Sequence, residues 1–246
     1  MFTSHTLTFL RQLRRHNDRE WFGANRHRYE QDVRRPMLAL IERLAEDLPH
    51  FAPDLQASTR SSLYRIHRDT RFSADKSPYK THVAAIFPHR ELPKHVGAGL
   101  YLEVSPDRVL VGGGLYAPEH ADLQRIRAAL VERWDDFRAI VEARTFLRSF
   151  GKVQGRRLAR VPRSYPPDHP AVDYLTLTQL LAGREREAAL ATTPRFYRSV
   201  VGSFRQLAPF VGFLNRAIIE GRQRSADPLR GSRRDTRPAN DCGRPS

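Results

Sequence analysis

The sequence predicts an α+β fold, with a central antiparallel β-meander flanked by N-terminal and C-terminal helices. Two observations carry this. Apolar residues recur at helical spacing in the first fifty positions and again beyond Ala117, whereas short segments rich in β-branched and aromatic residues lie between about 62 and 113. Strands gathered in the centre point to an α+β domain rather than alternating βαβ units.

Taken in order, Leu7, Leu10, Arg11 and Arg14 begin a short amphipathic helix that breaks near His16-Asn17-Asp18. Asn25 reads as an N-cap for a second helix carrying Tyr29, Val33, Met37, Leu40, Ile41 and Leu44 on one face, with Pro36 kinking or dividing it. Trp21 and Phe22 read as anchors of the helix junction. Strands are expected over Ser62–Arg68, Thr81–Phe87, Gly99–Val104 and Arg108–Gly113, with Ser-Pro-Asp at 105–107 as the turn between the last two. A helix follows from Ala117 to about Phe150. After the proline-rich VPRSYPPDHP, helix returns at Leu175–Leu190 and at Pro194–Glu220, the latter interrupted by Pro209. Residues 1–220 read as a single α+β domain and 221–246 as a disordered arginine-rich tail, because the apolar pattern stops there.

Composition narrows the function classes. Hydrophobic residues at 40% and charged ones at 28% are those of a soluble globular protein. No run is long and apolar enough to span a membrane, so no membrane partner is expected. The start lacks the pattern of a secretory signal, and a cytoplasmic address fits. One cysteine, Cys242, excludes a disulfide framework or a cysteine zinc site. The net charge of +15 invites a nucleic-acid reading. Yet 38 of the 42 basic residues are arginine, the skew a GC-rich genome produces, so part of the charge is compositional.

Several motifs dissolve on inspection. His67-Arg68-Asp69 imitates a kinase catalytic loop, but no asparagine follows to hold a metal. Ser73-Ala74-Asp75-Lys76 matches S-x-x-K, but Pro78 and the missing K-T-G make it coincidental. Gly112-Gly113-Gly114 reads more readily as a close backbone approach at a strand end than as a phosphate loop. A metal reading would join His67 and His82 across paired strands with Asp69 or Asp75. Hydrogen-bonded histidines are commoner, and neither a metal site nor a cofactor is assigned.

One stretch resists dismissal. In YRIHRDTRFSADKSPYKTH, Tyr64 to His82, the cations Arg65, Arg68, Arg71, Lys76 and Lys80 outnumber the carboxylates Asp69 and Asp75. As a strand, Arg65 and His67 would share one face and Tyr64 and Ile66 the other. Partly enclosed guanidinium groups require carboxylates or a bound anion. The alternatives are an Arg–Asp lattice that pins the loop, and a site for phosphate or carboxylate.

Together with NDREWFGANRHRYE, GAGLYLEVSPDRVLVGGGLYAP, RVPRSYPPDHPAVDYLTLTQL and LAPFVGFLNRAI, this stretch resembles the uncharacterised bacterial and fungal domain-of-unknown-function 2461 family, over about Thr6 to Ile219. The resemblance implies no activity and no catalytic residues. It implies that the segment from Arg68 to Lys80 is a shared motif rather than compositional drift.

The leading functional reading is an anion site, and an enzyme acting on a phosphorylated small molecule or nucleotide is one form it would take. Arg65, Arg68, Arg71, Lys76 and Lys80 would hold the anion. Asp69 or Asp75 with His67 or His82 would supply acid–base chemistry, and Tyr79 or Tyr101 would stack or donate a hydrogen bond. The alternatives are an interaction protein whose charged loop is structural, and a nucleic-acid-binding module using the basic loop and tail.

Overall fold

The computed structural model describes residues 1–71 and 73–226. Phe72 and most of the expected tail, 227–246 with Cys242, lie outside the described residues.

The N-terminal helices are α1 (Ser4–Arg15), α2 (Arg19–Ala24), the single turn α3 (Arg26–Arg28) and α4 (Arg35–Asp47). Asp18 starts α2, its carboxylate accepting from the Trp21 N–H at 2.8 Å and so pairing a donor that the helix leaves open. Asn25, the expected cap, stands at the N-cap of α3, but its side chain donates to the Trp21 carbonyl and accepts from Arg28 rather than capping a helix N–H. Between α3 and α4 the chain widens into a π-helical turn, Tyr29–Arg34. Pro36 then occupies the first turn of α4, where no N–H is needed.

The four strands are β1 (Val83–Phe87), β2 (Gly99–Val104), β3 (Arg108–Leu115) and, after helices α5 (His120–Glu132), α6 (Trp134–Val141), α7 (Arg144–Phe150) and α8 (Val172–Leu175), β4 (Leu180–Glu187). They form one antiparallel sheet in the order β1-β2-β3-β4. The long α9 (Phe196–Ala226) is the last element of the described residues and passes through Pro209 without a break, six residues into the segment read as tail.

The period of two along each strand divides the sheet. Val83, Ala85 and Phe87 of β1, Leu100 and Leu102 of β2, and Val109 and Val111 of β3 are buried on the face that α9 covers. Phe87 meets Phe204 of α9 edge-on at 5.3 Å. Each Val, Leu or Phe side chain among them contributes about 1.5–3 kcal/mol by leaving water. A Cβ on Gly113 would lie 3.1 Å from Val211, so the missing side chain lets α9 seat closely.

Polar anchors fix the remaining helices. Fully buried Asp122 accepts from Arg222 Nε at 3.1 Å, from a terminal nitrogen of Arg222 at 2.6 Å and from Arg125 at 2.8 Å, tying α5 to the end of α9. Buried Arg127 donates to the carbonyls of Leu175 and Leu177.

Three further sequence expectations change. Ser62–Arg68 is not a strand. Leu63 and His67 make only isolated bridges, to Ala85 and Tyr79, because the chain leaves β1 after Tyr64 to pair with the returning segment 78–80. The helix expected over 117–150 is three helices, broken where Arg133 and Ala143 leave helical geometry. Leu175–Leu190 is not a helix. Its LLAGRERE run, rich in helix formers, is β4, and pairing with β3 overrides local propensity.

Candidate functional site

The sheet face opposite α9 carries Ala84 and Ile86, then Gly99, Tyr101 and Glu103, then Leu110, Gly112 and Gly114, then Leu181, Gly183 and Glu185, every second residue of its strand. One cross-strand row reads Ile86–Tyr101–Gly112–Gly183, and the next reads Ala84–Glu103–Leu110–Glu185. Two adjacent glycines in the Tyr101 row leave a trough beside that ring. Gly112 and Gly183 are also needed for strand spacing, since a Cβ on either would come within 3.1 Å of the neighbouring strand. Gly114, at φ 128°, admits no side chain at all: its Cβ would sit 2.0 Å from the Leu180 carbonyl oxygen. The result is an open cleft of about 1060 Å³ floored by backbone.

Polar side chains gather at one end of it. Tyr101 donates to Glu103 Oε2 at 2.9 Å. His82 Nε2 stands 3.8 Å from the same oxygen, and Arg108 reaches both Glu103, at 3.7 Å, and Glu185, at 2.9 Å. Lys80 lies 5.0 Å from the centre of the Tyr64 ring, with Lys94 at the same distance from that ring. Lys94 also donates to the Ser61 carbonyl. Among the described residues the Lys80 ammonium has no hydrogen-bond or carboxylate partner. The loop carrying Lys94 and His95 is held by Asn215 of α9, which accepts from Ala98 N–H at 2.8 Å and donates to Ala98 O at 3.0 Å.

The surroundings set the proton affinities. Burial pushes Lys80 below its ordinary value, and Arg65 and Lys94 add repulsion. Burial likewise lowers His82, against the attraction of Glu103 and with help from Lys80 and Arg108. Tyr101 is raised, first by burial and then by the Glu103 carboxylate it donates to. Neutral His82 is thus a proton acceptor, Tyr101 stays a hydrogen-bond donor, and Lys80 is a cation ready for an anionic group. That set can bind and orient an anion and move a proton to or from its neighbour.

The predicted site residues fall into three places. Lys80, His82 and Tyr101 line the cleft. Arg68, Asp69, Arg71, Asp75 and Lys76 lie in the adjoining loop, where the carboxylates meet the cations. Asp69 accepts from Arg71 Nε at 3.0 Å and from a terminal nitrogen at 2.8 Å. Asp75 accepts from Arg68 and from the Ser77 N–H, and Lys76 donates to the Thr70 carbonyl at 3.0 Å. Hydrogen bonds from Arg71 hold Asp69 down at about 2, and those from Ser77 and Arg68 hold Asp75 well below the carboxylate range. This is the internal lattice of the two alternatives.

Arg65, His67 and Tyr79 line a separate depression on the far side of the 64–67 and 79–82 segments. These segments form a thin wall, closed by Lys80 N–H donating to Ile66 O at 2.8 Å and Arg68 N–H to Pro78 O at 2.9 Å. Side chains alternate across it, so Tyr64 and Lys80 face the cleft while Arg65, His67 and Tyr79 face away. His67 and His82 are therefore separated rather than joined. Among the described residues no group of three or more His, Cys, Asp or Glu could hold a metal ion.

Glu103, Arg108 and Gly183 escaped the sequence reading, whereas the close backbone approach expected at Gly112-Gly113-Gly114 is found where Gly112 and Gly114 meet β4. The signal was the alternation in Gly99–Val104, whose Tyr101 and Glu103 share the face opposite Leu100 and Leu102.

The sequence model of the family described as Conserved hypothetical protein (DUF2461) matches residues 5–213. No curated protein matches the chain. No helix among the described residues is long and apolar enough to cross a membrane.

Proposed function

The chain belongs to the DUF2461 family, and we propose that its open sheet face binds a small phosphate- or carboxylate-bearing molecule. The observation that carries this reading is Lys80. Its ammonium is half-buried at the polar end of a large cleft, repelled by Arg65 and Lys94, with an aromatic face beside it and no carboxylate partner among the described residues. A cation kept away from water without an internal counterion is poised for an external one. The glycine floor gives room for a flat group beside Tyr101, and His82, Glu103 and Tyr101 supply a proton acceptor and a donor next to it. The cleft also fits the size range of small-molecule sites. The loop lattice supports a scaffolding role for Arg68 and Arg71, which moves the anion site from the loop to the cleft.

Thermal shift against phosphate, pyrophosphate, nucleotides, sugar phosphates and dicarboxylates tests the proposal. A ligand present at a hundred times its Kd adds about 2.7 kcal/mol, equivalent to about 5–10 °C for a chain of this size. The expected result is such a shift from at least one of these ligands in the wild type and in Lys76→Met, and its loss in Lys80→Met. If every ligand that shifts the wild type shifts Lys80→Met equally, the reading is overturned, as it is by the lack of any responding ligand.

A further inference from the structure

On the far side of the wall, a depression of about 380 Å³ lies between α2, α3, the π-helical turn and residues 65–67. Its floor is apolar and rigid. Phe22 and Tyr79 stack with centroids 4.1 Å apart, and Tyr29 packs on Phe22 at 5.4 Å. Asn17 fixes Tyr79 from the N-terminal side, donating to its carbonyl and accepting from its N–H, each at 3.0 Å. Two segments far apart in sequence are thereby locked into one surface.

Arginines line it. Arg19, Arg26, Arg34 and Arg65 all border the depression, with His67 beside them and Glu30 the one carboxylate among its lining residues. Glu30 is already engaged by Arg34 at 3.1 Å. Among the described residues, the side chains of Arg19, Arg26 and Arg65 form no hydrogen bond or ion pair. The π-helical turn contributes Tyr29, Glu30 and Arg34 to the same place, and such turns mark functional sites often. A solvated basic face needs no recess, no rigid aromatic floor and no convergence of separate segments. This surface has all three.

We infer that this depression is a second binding site, specific for a phosphate group, which the forked N–H groups of Arg19, Arg26 and Arg65 grip while the apolar floor receives the moiety that carries it. Guanidinium groups suit phosphate because each presents two parallel donors to two oxygens. The site is distinct from the Lys80 cleft, and the wall separates their side chains.

Calorimetric titration of the full-length protein with pyrophosphate is the test, using Arg26→Ser/Arg65→Ser and a charge-matched control, Arg144→Ser/Arg148→Ser, on exposed positions of α7. These arginines are all exposed, so both variants should fold, and unchanged melting temperatures verify it. The expected result is at least a tenfold loss of affinity in Arg26→Ser/Arg65→Ser, with the control near wild type and only a smaller loss in Lys80→Met. Equal losses in both double variants mean general attraction to a basic protein and overturn the inference, as does no binding by the wild type. A loss confined to Lys80→Met assigns the anion to the cleft and also overturns it. A parallel titration with single-stranded oligothymidylate identifies the carrier. Affinity above that of pyrophosphate, lost in the same double variant, places the phosphate in a nucleic-acid backbone, and otherwise it belongs to a small molecule.

Discussion

Lys80→Met removes the charge while keeping most of the stem, and its effect on the free protein distinguishes a ligand-seeking cation from a structural one. The ammonium gains from the Tyr64 ring 5.0 Å away, an interaction worth about 0.5–1 kcal/mol. Against that stand its partial burial and repulsion from Arg65 and Lys94, each repulsive pair costing on the order of 1 kcal/mol or less beside solvent. The sum places the variant within about 1 kcal/mol of wild type, on the more stable side, or up to about 4 °C higher in melting temperature. The sign with pH follows from linkage. The folded pKa lies below the ordinary 10.5, so below it Lys80 is charged in both states and the penalty is complete. Between the folded value and 10.5 the unfolded chain holds more protons, so wild-type stability rises with pH through that interval. Lys80→Met lacks this rise, and its advantage should shrink towards alkaline pH. Urea denaturation of both proteins near pH 7 and near pH 10 measures it. A loss exceeding about 2 kcal/mol near neutrality would refute the reasoning, because it would make the ammonium a packing anchor of the kind whose removal is costly.

Four further outcomes are expected. Asp75→Ala should release Arg68 and Ser77 and speed tryptic cleavage between 67 and 79, with little change in melting temperature. The Asp69–Arg71 pair should persist as pH falls through 3.8 and be lost only near 2, the folded value, which carboxyl NMR titration reports. Asp122→Ala leaves Arg222 and Arg125 facing an empty buried position. It should cost about 3–5 kcal/mol in urea denaturation, with early amide exchange at the end of α9. Gly114→Ala forces a Cβ onto the Leu180 carbonyl and should cost more than about 3 kcal/mol or abolish soluble expression.

The alternation in Gly99–Val104 and Arg108–Gly113 made β2 and β3 legible, and their pairing around Ser-Pro-Asp followed from turn chemistry. β4 was hidden, since Leu, Ala, Arg and Glu favour helix and only contact with β3 makes them a strand. Gly183 was the local clue, an unexplained glycine that proves to face Gly112. For the site, charge content singled out a nineteen-residue stretch, Tyr64 to His82, but not which of its cations have internal partners. That depends on the path of the loop. Asp69 and Asp75 lie near Arg71 and Arg68 in sequence and satisfy them locally, whereas Lys80 leaves the loop beside a sheet whose Glu103 is already held by Tyr101 and approached by His82 and Arg108.

The wall between cleft and depression is two paired extended segments wide and a single backbone layer thick, with Arg65 facing one side and Lys80 the other. Charge on one face is felt on the other, as the repulsion between these two residues records. An anion settling on Arg65 would lift that repulsion and let Lys80 hold its proton more firmly. Thermodynamic reciprocity then requires protonation of Lys80 to strengthen the anion's hold on Arg65 by the same factor. Such a partition needs no hinge and no change of shape to transmit a signal. With an anion on Arg65, it would make the proton occupancy of one chamber a reporter on the other.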